Sequence, residues 1–394
     1  MRKSVIGGLM AALMVVFTVA PAVAAPRDEV RFATFNASLN RFNEGELVAE
    51  LQAAVAGSVS DQVAAVLEIV ALNDADVLLI NEFDFDPEAG ALFAELTGYR
   101  HHFIAPSNTG VPSGFDLDNS GAVEGPNDAF GFGFFPGQFG MLVLSRYPIL
   151  ERRARTFQNF LWKDMPGALL PVDPSTGESW YSDDELAVFR LSSKSHWDLP
   201  IRIGRRTVHF LVSHPTPPVF DGAEDRNGTR NSDEIRFWAD YVSSRATSRY
   251  IYDDRGQRGG LNPGSFFVVA GDLNSDPFDG DSIPGAAQQL LDHPRVNTSV
   301  TPSSEGAVEA SAIQGGANDS HIGDPRFDTA DFADGAPGNL RVDYVLPSKA
   351  LRITDAGVFW PVQADPLFPL VGVFPFPSSD HRMVWVDVRV PGLR

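Results

Sequence analysis

The stretch "FFVVAGDLNSDPFDG", residues 266–280, is the one on which the fold of this chain turns. Five apolar residues, Phe266 to Ala270, run into Gly271, and the chain then sets out Asp272, Asn274, Asp276 and Asp279. A continuous apolar run of this length reads as a strand covered on both faces. Acids and amides gathered at the end of such a strand are costly to bury without a compensating charge. A single Gly-Asp after a strand reads most simply as a turn, so the weight of this one depends on whether other segments do the same.

Six other segments read as strands: "VRFATFN", "ADVLLINEF", "GMLVLSRYP", "TVHFLVSH", "RVDYVLP" and "HRMVWVDVRV". The ends of several deliver polar groups: Asn36, Glu82 and His214 close three of them. Asp343 lies within a fourth, and Asp380 and His381 immediately precede the final one. Asp61 to Leu72 reads as a helix with Val63, Val66, Leu67 and Val70 on one face, Ser60 as N-cap and Asn73 at its close. Ser232 to Ala246 reads as a second, with Ile235, Trp238, Ala239 and Val242 on one side. Strands that sometimes alternate with helices and sometimes follow one another predict mixed, helix-covered sheets. Stretches 101–140 and 156–200, rich in Gly, Pro, Asp and aromatics, read as long surface loops. No repeat or low-complexity linker divides the chain, so one domain over residues 27–394 is the simplest organisation.

The chain has 394 residues, 51 acidic against 31 basic side chains, 43% apolar residues and no cysteine. Residues 1–24 read as a secretory signal: Arg2 and Lys3, an apolar run from Val5 to Ala20, then Ala22-Val23-Ala24. The run falls short of the ~20 residues that a membrane span needs. The expectation is a secreted protein, extracellular or periplasmic, without stable membrane insertion. Without cysteine, packing or bound metal must stabilise it. Its acidic surface repels polyanions at long range, although bound divalent cations reverse the local sign.

Six buried segments that each bring oxygen or imidazole groups toward one sheet edge predict a site there. Oxygen donors without thiolates select a hard ion such as Mg²⁺, Mn²⁺ or Ca²⁺. Histidines added to such a site point to hydrolysis: an Asp or His takes a proton from water, and amide and imidazole N–H groups bind the developing oxyanion.

The ordered set "FATFNASLN", "LLINEFD", "GMLVLSRYPI", "LVSHPTP", "VVAGDLNSDP", "RVDYVLP" and "SSDHRMVWVDV" closely resembles the endonuclease/exonuclease/phosphatase superfamily, the relatives of deoxyribonuclease I. The resemblance covers nearly all of the chain after residue 26. It implies an α/β (α+β) fold, a four-layer sandwich of two packed mixed β-sheets flanked by helices, and metal-dependent cleavage of phosphate esters. It also implies roles. Asn36 and Glu82, with Asp380 nearby, would hold Mg²⁺ or Mn²⁺; His214 would contact the scissile phosphate; Asp272 would orient or deprotonate water; Asn274 would stabilise the transition state. His381, paired with Asp343, would be acid/base or a donor to phosphoryl oxygens. The sequence departs from the family in "SHPTPP", whose prolines remove backbone donors after His214. The aromatic or acidic residue that some nucleases use midway has no counterpart, and Gln138 is the candidate polar contact there.

Two weaker constellations remain. In "DLDNSGAVEGPND", Asp116, Asp118, Ser120 and Glu124 match positions of a calcium loop, with Asn127 where a bidentate Glu is expected, so the choice is between a structural Ca²⁺ site and a solvated acidic loop. Arg226 and Arg230, and less strongly Arg41 and Lys163, are candidates to grip substrate phosphate, against simple pairing with acidic neighbours. The other histidines and most aromatics read as structural or packing residues. No basic or aromatic strip for a nucleic-acid backbone stands out in the sequence. This favours a small or lipid-derived phosphodiester or monoester as substrate. A secreted nuclease is the alternative, with nucleic acid only as substrate, and a non-catalytic metal-binding protein of the same fold is the alternative of another class. No protein partner is implied.

Overall fold

A computed structural model describes residues 29–393. The signal expected over residues 1–24 lies outside the described residues. In chain order the elements begin with β1 (Val30–Leu39), α1 (Glu46–Val55), α2 (Asp61–Asn73), β2 (Val77–Phe83), α3 (Pro87–Thr97), β3 (His101–Phe103) and β4 (Met141–Ser145). They continue with β5 (Arg155–Thr156), α4 (Asp183–Leu186), β6 (His196–Ile203), β7 (Arg206–Ser213), α5 (Arg226–Val242), β8 (Phe266–Asp272), α6 (Gln288–Leu291) and α7 (Glu305–Gln314). The remainder is β9 (Ala330–Asp331), β10 (Asn339–Leu340), β11 (Asp343–Pro347), β12 (Arg352–Val358) and β13 (Val384–Arg389).

The strands form a six-stranded sheet in the order β12-β13-β1-β2-β4-β3, a five-stranded sheet in the order β11-β8-β7-β6-β5, and a small β10-β9 pair. Both large sheets are mixed: β1 runs parallel to β2 and β7 parallel to β8, with antiparallel neighbours elsewhere. Alternation along β8 shows how they pack. Val268 and Ala270 face the six-stranded sheet, in one core with Phe32, Phe210 and Val345. Phe267 and Val269 face the other way, into a second core with Ile235 and Trp238 of α5 and Leu290 of α6. Leu47 of α1, Val66 of α2 and Phe93 of α3 pack into the first core. Two face-to-face mixed sheets with helices outside are the architecture expected of the sequence. No helix among the described residues is long and apolar enough to cross a membrane.

Helix α2 begins where its sequence requires, with the Ser60 hydroxyl accepting the Val63 N–H at 3.4 Å. Asn73 is its last residue rather than its cap, and Asp74, in the left-handed region, closes it. Helix α5 starts six residues before the expected Ser232, because its first turns bury polar side chains that give no apolar period: Arg230, Asn231, Asp233 and Glu234 are all inside. The stretch read as loop over 156–200 ends in β6, and 101–140 begins with β3.

Candidate active site

At the edge where the two sheets meet, β1, β2, β7, β8 and β11 bring their polar residues together. Asn36 stands opposite Asn81 in the parallel β1–β2 pairing, which puts Glu82 one residue further on. Asp343 opens β11 directly opposite Asp272, the end of β8. His214 follows Ser213, the end of β7, and His381 bridges to Ala330. Gly271 lets β7 and β8 converge here: a Cβ at this position would sit 2.0 Å from the Ser213 carbonyl oxygen. Glu82 and Asn274 both take positive φ, 55° and 51°. Such backbone persists where surrounding structure fixes it, often at functional sites.

Asp272 is the hub. Its Oδ2 accepts from Asn36 Nδ2 at 3.1 Å, lies 3.4 Å from His214 Nε2 and 3.7 Å from His381 Nε2, while Oδ1 accepts the Asn274 N–H at 2.9 Å. Asn36 Nδ2 also donates to Glu82 Oε1 at 3.0 Å. His381 Nδ1 is 2.8 Å from Asp343 Oδ2, which also accepts the Thr329 hydroxyl at 2.9 Å. The Ser379 hydroxyl donates to the Asn36 carbonyl at 2.7 Å and receives the His381 N–H at 3.1 Å, tying the segment before β13 to β1.

Burial in a site rich in acids sets the protonation states. Burial, with Asp343 adding to it, raises the Asp272 carboxyl to about 6. Burial also raises Glu82, with Asp380 and Asp272 pushing the same way. The two histidines move apart. Burial and the positive charges of Lys194 and His381 hold His214 well below its ordinary value. His381 is opposed by burial, but Asp343 and Asp272 outweigh it and hold the imidazole well above. His214 Nδ1 and Asp343 Oδ1 are buried without a hydrogen-bond partner, and buried polar atoms of that kind call for an explanation.

A cavity of about 1060 Å³ opens over this cluster, lined by Glu82, His214, Asp272, Asn274, Asp380 and His381. Its oxygen donors suit a hard cation. The charges of Asp380 and Asp272 oppose the ionisation of Glu82, a cost that a divalent ion removes. Of the expected metal set, Glu82 and Asp380 line the cavity, while Asn36 donates to Glu82 and its Oδ1 accepts the Ser38 N–H at 3.2 Å. Among the described residues, Asp272, Asp343 and His381 also gather ligand atoms within 4.8 Å of one another. With His381 Nδ1 engaged by Asp343, that group reads as a proton relay.

The candidate phosphate contacts divide. Arg226 and Arg230 line the cavity, but Arg226 pairs with Glu224. Arg230, buried, donates from Nε to the Leu191 carbonyl and from Nη2 to those of Phe130 and Arg190. Neither Arg41 nor Gln138 lines it. Arg41 pairs with Glu50 at 2.6 Å, and Gln138 is buried between the Phe134 N–H and the Arg41 carbonyl. Lys163 is exposed and also outside the cavity.

The cation missed in the sequence is Lys194, 6% exposed, which lines the cavity with Nζ 3.5 Å from the Pro215 carbonyl. Glu234 of α5 holds the segments on either side. It accepts the Ser193 N–H at 2.7 Å and the Thr216 N–H at 2.6 Å, the residues next to Lys194 and two beyond His214. A lone lysine in a stretch read as loop carries no sequence signal for this.

In the acidic loop, Asp116 and Asp118 come together with Asp128, not with Glu124. Glu124 is exposed, and its backbone N–H donates to Asp128. Ser120 donates to Asp116 and Asp118 rather than facing a shared centre with Glu124.

A family model described as the Endonuclease/Exonuclease/phosphatase family matches residues 33–381. The chain is similar to the crystal structure of an endonuclease/exonuclease/phosphatase from Beutenbergia cavernae DSM 12333, with 17% identity and a TM-score of 0.50 over 93% of this chain and 73% of that one. It is also similar to an endonuclease/exonuclease/phosphatase family protein from Leptotrichia buccalis C-1013-b, with 14% identity, a TM-score of 0.46 and coverage of 92% and 100%. Sphingomyelinase C from Streptomyces griseocarneus matches with 12% identity, a TM-score of 0.44 and coverage of 91% and 99%. The first of these likenesses is one of fold. No curated protein matches the chain.

Proposed function

The chain belongs to the endonuclease/exonuclease/phosphatase family, whose members are hydrolases acting on phosphoester bonds, and we propose that within it this protein is an exported, divalent-metal-dependent phosphodiesterase for a small or lipid-derived ester. The observation that carries the reading is the Asp272 hub, with Asn36, His214 and His381 set around one carboxylate oxygen at the floor of the cavity.

In this reading Glu82 and Asp380, with Asn36, hold Mg²⁺ or Mn²⁺, which when bound neutralises charge on a phosphate oxygen. Asp272 accepts the proton of the attacking water on its carboxylate. Asn36 and the Asn274 backbone orient that carboxylate by donating to it. Neutral His214 and the Asn274 side chain donate to phosphoryl oxygens. His381 is held cationic by Asp343 and donates from Nε2 as negative charge develops. Lys194 adds a second buried basic group beside Arg230 in the cavity wall, although burial favours its neutral form.

Export is supported by the sequence of residues 1–24, and residues 27–394 are taken as one catalytic domain. A small or lipid ester fits the few free cations at the cavity and the net charge of −20.

The test is hydrolysis of bis(p-nitrophenyl) phosphate and of p-nitrophenyl phosphate with Mg²⁺ or EDTA, by the wild type and the Asp272→Asn and His381→Ala variants. Diester cleavage abolished by EDTA and by both substitutions is expected. Equal turnover in EDTA, or by Asp272→Asn, overturns the reading.

A further inference from the structure

Most of the phenylalanines read as packing residues in the sequence, yet a row of them leaves the cavity and reaches open surface. Phe139 and Phe132 line the cavity, with ring centroids 6.4 Å apart. Phe132 meets Phe134 at 5.6 Å, and Phe134 stacks on Phe42 at 6.3 Å. Phe132, Phe134 and Phe42 are 50%, 61% and 83% exposed, a contiguous apolar surface that folding alone does not call for. At the inner end, Phe332 stands edge-on to His381 at 5.4 Å, so the apolar wall begins beside the reacting groups.

This row is held in place by buried polar side chains. Asp84, 6% exposed, accepts the Phe139 N–H at 3.2 Å and the Arg41 N–H at 2.7 Å. Gln138, 2% exposed, accepts the Phe134 N–H at 2.8 Å and donates to the Arg41 carbonyl at 2.6 Å. Two side chains thus lock the segment carrying Phe42 to the segment carrying Phe134 and Phe139. Phe139 is further fixed at φ 55°, a conformation that bulky residues rarely adopt. Buried polar clamps that present exposed phenylalanines in a set position describe a preorganised binding surface.

Resting on the phosphodiesterase reading, we propose that Phe139, Phe132, Phe134 and Phe42 form a track for a hydrocarbon chain of the phosphoester substrate, with Asp84 and Gln138 as its positioning residues. The occupant is a chain rather than a stacked nucleobase because, among the described residues, the cations of the cavity are at its inner end and the outer rings have only Arg41 next to them in sequence. Arg41, beside Phe42, is taken by Glu50, and Phe brings no polar edge. A chain leading away from the scissile phosphate would lie along rings that a purely polar substrate leaves wet.

The experiment measures kcat/KM with Mg²⁺ for methyl and decyl p-nitrophenyl phosphate below the micellar concentration. Wild type should prefer the decyl ester by tenfold or more. The Phe132→Ser/Phe134→Ser double variant should lose most of that preference, and Gln138→Leu part of it. An equal rate on both esters, or a preference unchanged in the double variant, overturns the track. Calorimetric binding of decyl against methyl phosphate reads the track without turnover. If no ester is hydrolysed but the chain still adds tenfold affinity in wild type and not in the double variant, the phosphodiesterase reading fails while the track stands; no gain from the chain overturns the track. Sedimentation with phosphatidylcholine vesicles, lost in the double variant, is expected and assigns the chain to a lipid layer. Decyl phosphate binding without sedimentation assigns it to a dispersed ester.

Discussion

Among the described residues, two acidic clusters each gather three ligand atoms within 4.8 Å, Asp272 with Asp343 and His381 in the cavity, and Asp116 with Asp118 and Asp128 in the loop between β3 and β4. They are satisfied in opposite ways. In the loop, Asp116 accepts from Ser120 and Gly121, Asp118 from Ser120 and Asn127, and Asp128 from the Leu117 and Glu124 N–H groups. Those carboxylates fold their own loop. Although burial works against it, hydrogen bonds from Ser120 and Asn127 hold Asp118 below its ordinary value. In the cavity, Asp272 is raised to about 6 and Asp343 keeps a buried oxygen unpartnered. Carboxylates that build structure are saturated by their own segment. Carboxylates set for a ligand draw partners from distant segments, and here one oxygen, Asp343 Oδ1, is left without any.

The sharpest way to break the contrast is by rate. Asp272→Asn should lower kcat on a diester by about 10³-fold or more, His381→Ala by about 10²-fold or more, and Asp118→Asn by less than about twofold. Comparable losses at Asp272 and Asp118 would erase the distinction.

Stability should move against activity. In the folded state Asp272 holds its proton more tightly than in the unfolded chain. Its contribution is therefore fully present below the unfolded value near 3.8 and is lost as pH rises through about 6. In EDTA at pH 7, Asp272→Asn should be more stable than wild type by up to about 3 kcal/mol, with the gain gone near pH 4, in urea unfolding. Asp118→Asn should show the opposite slope, destabilised at neutral pH and converging with wild type in acid.

Mg²⁺ at about a hundred times its Kd should add about 2.7 kcal/mol to the unfolding free energy. Glu82→Gln should abolish most of that gain and Asp116→Asn should keep it; the reverse would move the cation to the loop. The smallest effect expected is at Asp128, where Asp128→Ala strands two N–H groups. It should cost about 1–3 kcal/mol in urea unfolding while kcat on the diester stays within about twofold of wild type.

What was legible in the sequence follows from the same physics. Asn36, Glu82, His214 and Asp272 stand out because each interrupts an apolar run at a strand end, where polarity needs a reason. Lys194, Thr329, Ser379 and Glu234 do not: each reaches its partner across the fold, from a polar stretch that gives no period. Strand β6 was hidden by His196, Asp198 and Pro200. Asp198 is satisfied inside by His209 and Tyr241, and Pro200 lies beyond the two-residue β5 pairing. The calcium-loop match failed at Glu124 because linear spacing does not report that the chain turns back through Asp128. The phenylalanine row was read as packing because exposure cannot be seen in composition.

The bond from the Ser379 hydroxyl to the Asn36 carbonyl spans 343 residues, and β1 lies between β2 and β13 in the six-stranded sheet. The site therefore has no local nucleus. His381 reaches Asp272 through Asp343 and β11 on one side and through Ser379 and β1 on the other, so a chain cut between Asp272 and His381 parts the acidic hub from its histidine. Such long-range closure makes folding slow relative to helical chains of similar length. It also makes activity a late event in the life of each molecule, acquired all at once when its most distant segments meet.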